Sequence, residues 1–185
     1  MKKLVLIAAM AFVSVAAFAQ KFAHVNFQEL VYLMPDMDAA REQLNAAQQE
    51  ASETFQVMVD EYNSKLSQYQ QKASTWTAAI LESKQKELAD IEQRIQEFQQ
   101  SIQLELQEKE QSLMAPIQQK AQQTVAALAK EGGYIYVFDV NSPLYVDENQ
   151  STDLTRAARR ALNIPEDRTL EQLAAQLQAQ AQGQQ

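Results

Sequence analysis

The sequence predicts a mainly α protein with a small β base: a long antiparallel helical-hairpin arm on a short-stranded oligomerisation body. Three observations predict it. Before Gly132 there is no glycine, and residues 36–131 are rich in Ala, Gln, Glu, Leu and Lys, all good helix formers. The apolar residues of that region recur at helical spacing. The stretch GGYIYVFDVNSPLY, residues 132–145, then reads as β, opened by two glycines and closed by Asn-Ser-Pro.

The arm comes first. Pro35 with Asp36 and Asp38 is a start signal, an aspartate serving as N-cap. Lys130 followed by Gly132-Gly133 is a stop signal. In the first half, Leu44, Ala47, Ala51, Phe55, Met58, Tyr62, Leu66, Tyr69 and Ala73 follow an eleven-residue period. In the second half, Leu88, Ile91, Ile95, Phe98, Ile102, Leu106 and Leu113 keep closer to a coiled-coil heptad, with Lys109 where an apolar residue would complete it. Glu61–Lys65, Glu82–Lys86 and Glu105–Lys109 are spaced to pair along the helix.

One unbroken helix over this span would reach roughly 144 Å and leave its stripe bare. Folding back buries one stripe against the other. The poorest helix formers cluster at Ser74-Thr75-Trp76-Thr77, so the bend is expected there, with Thr77 capping the returning helix. Each arm is then roughly 60 Å long. A single seam builds no third layer, so the arms should be thin, compliant and partly wet.

The base follows from the hairpin. Folding back brings residues 21–27, a second β-like stretch, beside residues 134–140. Residues 144–146 are a candidate third strand. Residues 152–162 are a candidate short helix capped by Ser151 or Thr152. Two or three short strands are marginal alone, so several copies are expected to share one core. The tail after Pro165 carries Leu170, Leu173 and Leu177 in an Ala/Gln background; it is either an amphipathic helix docked on a neighbour or a frayed end, and fraying is the expectation.

The N-terminus reads as a targeting segment. Lys2 and Lys3 precede an apolar run, and Ala17-Phe18-Ala19 is a small-x-small cleavage signal. The run is short for a membrane span. The expectation is a signal peptide over residues 1–19 and a mature chain from Gln20, soluble outside the cytoplasm. The full chain has 16 basic and 24 acidic residues; losing two lysines leaves the mature chain near −10. That charge disfavours general nucleic-acid binding. There is no cysteine, hence no disulfide framework and no thiolate metal site.

Chemistry for catalysis is sparse. The lone histidine, His24, lies in a short strand and is expected to be structural. Asp139 is expected to accept turn hydrogen bonds. There is no HExxH and no phosphate-cradling glycine loop. No catalytic residue, metal ligand or cofactor is expected, and the chain is not expected to be an enzyme.

The mature chain resembles the Skp/OmpH family of periplasmic chaperones. The resemblance covers residues 21–162. It rests on a first strand ending Val25-Asn26, Met34-Pro35 opening a long helical stretch, and Pro116-Ile117-Gln118 leading to the strand at Tyr134. Asp139-x-Asn141, Tyr145 and Asp153-Leu154-Thr155 follow. It implies a jellyfish-like homotrimer, with three hairpin arms around a central cavity that holds unfolded outer-membrane β-barrel proteins without ATP. It implies the periplasm of a Gram-negative bacterium. The expected division is residues 20–35 with 116–164 as trimerisation body, 36–115 as arm and 165–185 as tail. Val25, Phe27, Ile135, Val137, Phe138 and Tyr145 are expected in the trimer body.

The acidic balance departs from the strongly basic character of the family's best-known member. Residues 36–64 hold seven acidic residues against Arg41, whereas residues 65–86 hold Lys65, Lys72, Lys84 and Lys86 against Glu82. The basic tip, Lys65, Lys72, Trp76, Lys84 and Lys86, is the candidate contact for client or anionic membrane surface. An ordinary solvated face is the alternative. For the whole protein, the alternative is a coiled-coil envelope spacer or adaptor that docks specific folded partners.

Overall fold

A computed structural model describes residues 21–147 and 149–183. The expected signal peptide lies outside them. In order the elements are β1 (Lys21–Val25), α1 (Phe27–Leu33), α2 (Pro35–Lys72), a 3-10 turn (Ala73–Thr75), α3 (Ala78–Gly132), β2 (Tyr134–Asp139), β3 (Ser151–Asp153), α4 (Thr155–Ala161) and α5 (Leu170–Gly183). The chain divides into two compact units. Met34–Gln119 form one; residues up to Leu33 and from Lys120 onward form the other.

The first unit is a helical hairpin. The helix breaks at Ala73–Thr75, where Thr75 Oγ1 donates back to the Lys72 carbonyl at 2.8 Å. Hydroxyl residues that compete for backbone carbonyls are poor helix continuers, which is why the break falls at this cluster. Pro35 is the first helical residue and Met34 the cap, with no side-chain hydrogen bond. The aspartates therefore act inside the first turn, beside the positive helix end, and not as the cap. Pro116, expected to mark the return to the base, lies within α3. It removes one helical hydrogen bond without ending the helix.

The stripe positions confirm how thin the hairpin is. All nine apolar positions from Leu44 to Ala73 are half-buried, and of the seven from Leu88 to Leu113 only Ile91 is buried. A third helix would have covered the rest.

The second unit holds a three-stranded sheet in the order β2-β1-β3, every pair parallel. Phe22 faces Tyr136 and Ser151; His24 faces Phe138 and Asp153. Because residues alternate across a strand, Ala23 and Val25 point the other way and are buried. They join Leu30, Val31, Leu33, Ala121, Val125, Leu154, Ala158, Leu162, Ile164 and Leu173 as this unit's core. His24 Nδ1 lies 2.8 Å from Ser151 Oγ, tying β1 to β3 in the structural role expected of it. Asp139 Oδ1 accepts from the Asn141 backbone N–H at 3.1 Å, the expected turn contact.

Four expectations are corrected. Residues 144–146 form no strand. A strand directly after the turn would run antiparallel, whereas β3 runs parallel to β1, so these residues are the return path and the third strand is Ser151–Asp153. The candidate helix from residue 152 consequently starts at Thr155, whose N–H donates to Asp153 Oδ1 at 2.8 Å. The first β-like stretch ends at Val25, and Phe27 opens a helix. The tail is not frayed: α5 packs on α1 through buried Leu173.

Gly133 ends α3 with φ +68, and its N–H donates to the Lys130 carbonyl at 3.3 Å. A Cβ there would meet nothing within 4 Å, so only backbone strain opposes a side chain. Gly133→Ala should lower unfolding free energy by about 1–2 kcal/mol, read from urea melts. No change would mean that this turn relaxes without cost.

Candidate client-binding and assembly surfaces

Three surfaces are candidates for contact with other chains: the hairpin tip, the hairpin seam and the exposed sheet face. At the tip, Trp76 sits edge-on to Tyr69, ring centroids 5.9 Å apart, and Gln85 Nε2 donates to the Tyr69 hydroxyl at 2.8 Å. Glu61 attracts Lys65 electrostatically along the helix, as their spacing suggests, but the hydrogen-bonded partner of each lies elsewhere. Each reaches across the seam: Glu61 to Arg94 at 3.1 Å, and Lys65 to Glu87. Lys84 also bridges Glu87, at 2.6 Å.

These bridges divide the predicted basic tip. Lys65 and Lys84 converge on one carboxylate, while Lys72 and Lys86 stand exposed and Trp76 is half-buried. The hydrogen bond from Lys65, then that from Lys84, holds the Glu87 carboxyl down at about 2, and Glu87 in turn raises Lys65. A carboxyl lowered on folding stabilises most above its unfolded value near 4.5, and that contribution fades as pH falls through about 2. Lys65→Met should move the Glu87 carboxyl titration, followed by carbon-detected NMR, back toward its ordinary range. An unmoved titration would show that Lys65 does not hold it.

The seam opens toward the other end of the hairpin. A pocket of about 420 Å³ lies between the helices, floored by Ala51, Phe55, Phe98, Ile102 and Leu106, with Ser52, Gln99 and Gln103 at its rim. Its floor is apolar and its rim uncharged, suiting it to weak contact with varied side chains.

The sheet presents an exposed apolar face. Tyr136 stacks between Phe22 and Phe138, with centroid distances of 6.4 and 5.9 Å. Tyr136 is 60% exposed and Phe138 45%; Ile135, Leu144 and Tyr145 are exposed as well. Phe22, His24, Phe138, Pro143 and Tyr145 border a pocket of about 350 Å³. Of the residues expected in a trimer body, Ile135, Phe138 and Tyr145 are exposed. Val25 is buried in its own chain, and Phe27 and Val137 are half-buried. Among the described residues no group of three or more His, Asp or Glu is placed to hold a metal, and no helix is long and apolar enough to cross a membrane.

Sequence reasoning missed α1, although its signal was present. Asn26-x-x-Glu29 is a reciprocal cap: Asn26 Oδ1 accepts from the Glu29 N–H at 3.0 Å, and Asn26 Nδ2 donates to Glu29 Oε2 at 3.3 Å. It also missed Arg159, whose Nη1 bridges to Glu29 while Nη2 donates to the carbonyls of Pro165 and Arg168.

The structure is thus a thin helical hairpin joined in one chain to a small parallel sheet with an exposed aromatic face. Residues 21–162 match the family described as outer membrane protein (OmpH-like), and the chain belongs to that family. The fold is similar to the crystal structure of a protein described as an OmpH-like outer membrane chaperone from Caulobacter crescentus CB15. The TM-score is 0.70 at 15% identity, covering 78% of this chain and 84% of that one. No curated protein matches the sequence.

Proposed function

We propose that the chain is a periplasmic holdase chaperone, trimeric and independent of ATP. It captures unfolded outer-membrane β-barrel proteins in a cavity between helical arms and keeps them soluble for delivery. The single observation that carries the reading is the half-open apolar stripe along the hairpin, in a chain of the OmpH-like family. A stripe that one neighbour cannot cover holds an unfolded chain by many weak contacts, which add by multivalency and release easily. The exposed aromatic sheet face, with Phe138 and Tyr145, is the surface through which copies assemble. The signal segment at residues 1–19 delivers the chain to that compartment.

The test is aggregation of a β-barrel membrane protein diluted from urea. With mature protein present, turbidity should stay low; unchanged turbidity would contradict the reading. At the tip, Lys72 and Lys86, exposed on either side of Trp76 in the sequence, meet acidic client segments or anionic membrane. Reversing both to glutamate should weaken client capture severalfold at low salt and little at physiological salt, where the Debye length is about 8 Å. Equal capture at low salt would remove the tip from the account.

A further inference from the structure

Helix α5 lies beyond the family match, which ends at residue 162. It forms its own start: Thr169 Oγ1 accepts from the Gln172 N–H at 3.2 Å, and Gln172 Oε1 accepts from the Thr169 N–H at 3.1 Å. This reciprocal cap satisfies the N–H groups of Thr169 and Gln172 within the helix start itself. Its docking is slight by comparison. Leu173 is its one buried residue, at 7% exposure, while Leu170 and Leu177 on the same face are each 39% exposed. Its main packing partner is α1.

One residue fastens the segment. Arg159 on α4 is 14% exposed and joins three elements. It bridges Glu29 of α1, and its other nitrogen takes the carbonyls of Pro165 and Arg168, the two ends of the connection into α5. A guanidinium fork suits this task because it presents several donors in one rigid plane. Asn163, with φ +57, ends α4 and turns the chain into that connection.

We propose that α5 is a displaceable strap. It opens as a unit ahead of the sheet and α1, and the α1 surface it covers is a docking site for an amphipathic helix. The resident occupant states the ligand chemistry: leucines at i, i+3 and i+7 on an otherwise Ala/Gln helix, the pattern of Leu170, Leu173 and Leu177. Segments held by few apolar contacts open at low free energy, and their amides exchange before the core does. The chaperone reading is not needed for this, since the groove and strap lie in one unit and are tested without any client.

Hydrogen exchange on the whole mature protein is the first measurement. Amides of residues 170–183 should exchange at least about 100-fold faster than those of α1. Exchange of both at one common rate would show that α5 does not open ahead of α1 and overturn the proposal. The second measurement uses a fluorescent peptide of residues 165–185 added to the full chain. Leu173→Ala weakens the strap in cis and leaves the groove intact, so the variant should bind the peptide at least about tenfold more tightly than the unaltered chain. Equal binding to both chains, or none to the variant with its helical circular dichroism unchanged, would show that α1 offers no site.

Discussion

Phe138→Glu should turn the assembled protein into monomers and abolish client holding. Phe138 lies on β2 beside His24 of β1 and stacks on Tyr136, on the face of the sheet turned away from Ala23 and Val25. Copies meeting through that face would bury Phe22, Tyr136, Phe138 and Tyr145 together. A carboxylate placed at the centre of such a contact loses water without gaining a partner, which costs several kcal/mol. The substitution repeats once per copy, so in a trimer the penalty is incurred three times. Within one chain the cost is small, because Phe138 is already 45% exposed. The variant should therefore keep its helical circular dichroism while its mass falls to that of one chain. An assembly that survives Phe138→Glu would move the contact away from this face.

The largest loss of stability is expected at Leu30. Its side chain is fully buried on α1, in a unit whose other fully buried large side chains are Leu33 and Leu162. Leu30→Ala removes apolar contact and leaves a cavity, at a cost of about 2–5 kcal/mol. Domains carry only about 5–15 kcal/mol in all, and this one has few residues with which to compensate. Thermal unfolding followed at the tyrosines of the sheet should shift strongly downward. A shift smaller than that of Gly133→Ala would show that α1 is not central to the core.

The arm was largely legible in the sequence and the base only partly so. Along the arm, one signal dominates. Every stripe residue from Leu44 to Ala73 shares the half-buried face, and the Ser-Thr cluster at 74–75 sets the break, because propensity and packing agree there. Charges were not legible in the same way. Glu61 and Lys65 are well spaced along one helix, yet the partner helix offers Arg94 and Glu87, and nothing in the spacing announces that. In the base, the strand at Tyr134 was plain from its β-branched and aromatic residues. The strand Ser151–Asp153 was not, since three polar residues carry no pattern until β1 supplies the other edge. The same polar stretch fits a helix start equally well.

The candidate surfaces follow the same division. Sequence pointed to the lysines of the tip as one patch, and the fold splits them, because Glu87 lies one residue beyond the window counted and takes two of the four. The sheet face was foreseen as apolar strands in need of cover. Which residues of those strands look outward depends on the pairing of the strands, and that pairing skips Ile135 between Lys21 and Phe22, which spacing within one strand does not announce. The tail shows the limit from the other side. Thr169-x-x-Gln172 is a start signal in plain view, but the anchor that makes a helix worthwhile there is Arg159, ten residues earlier and on another element.

The central claim is that the assembled arms hold an unfolded chain in solution. Light scattering gives the most direct measurement: the mass of the mature protein from Gln20, alone and after mixing with a β-barrel membrane protein diluted from urea. The account predicts a free trimer that becomes a soluble complex heavier by one client. A trimer that leaves the client to aggregate, or a chain that scatters as a monomer, would contradict it.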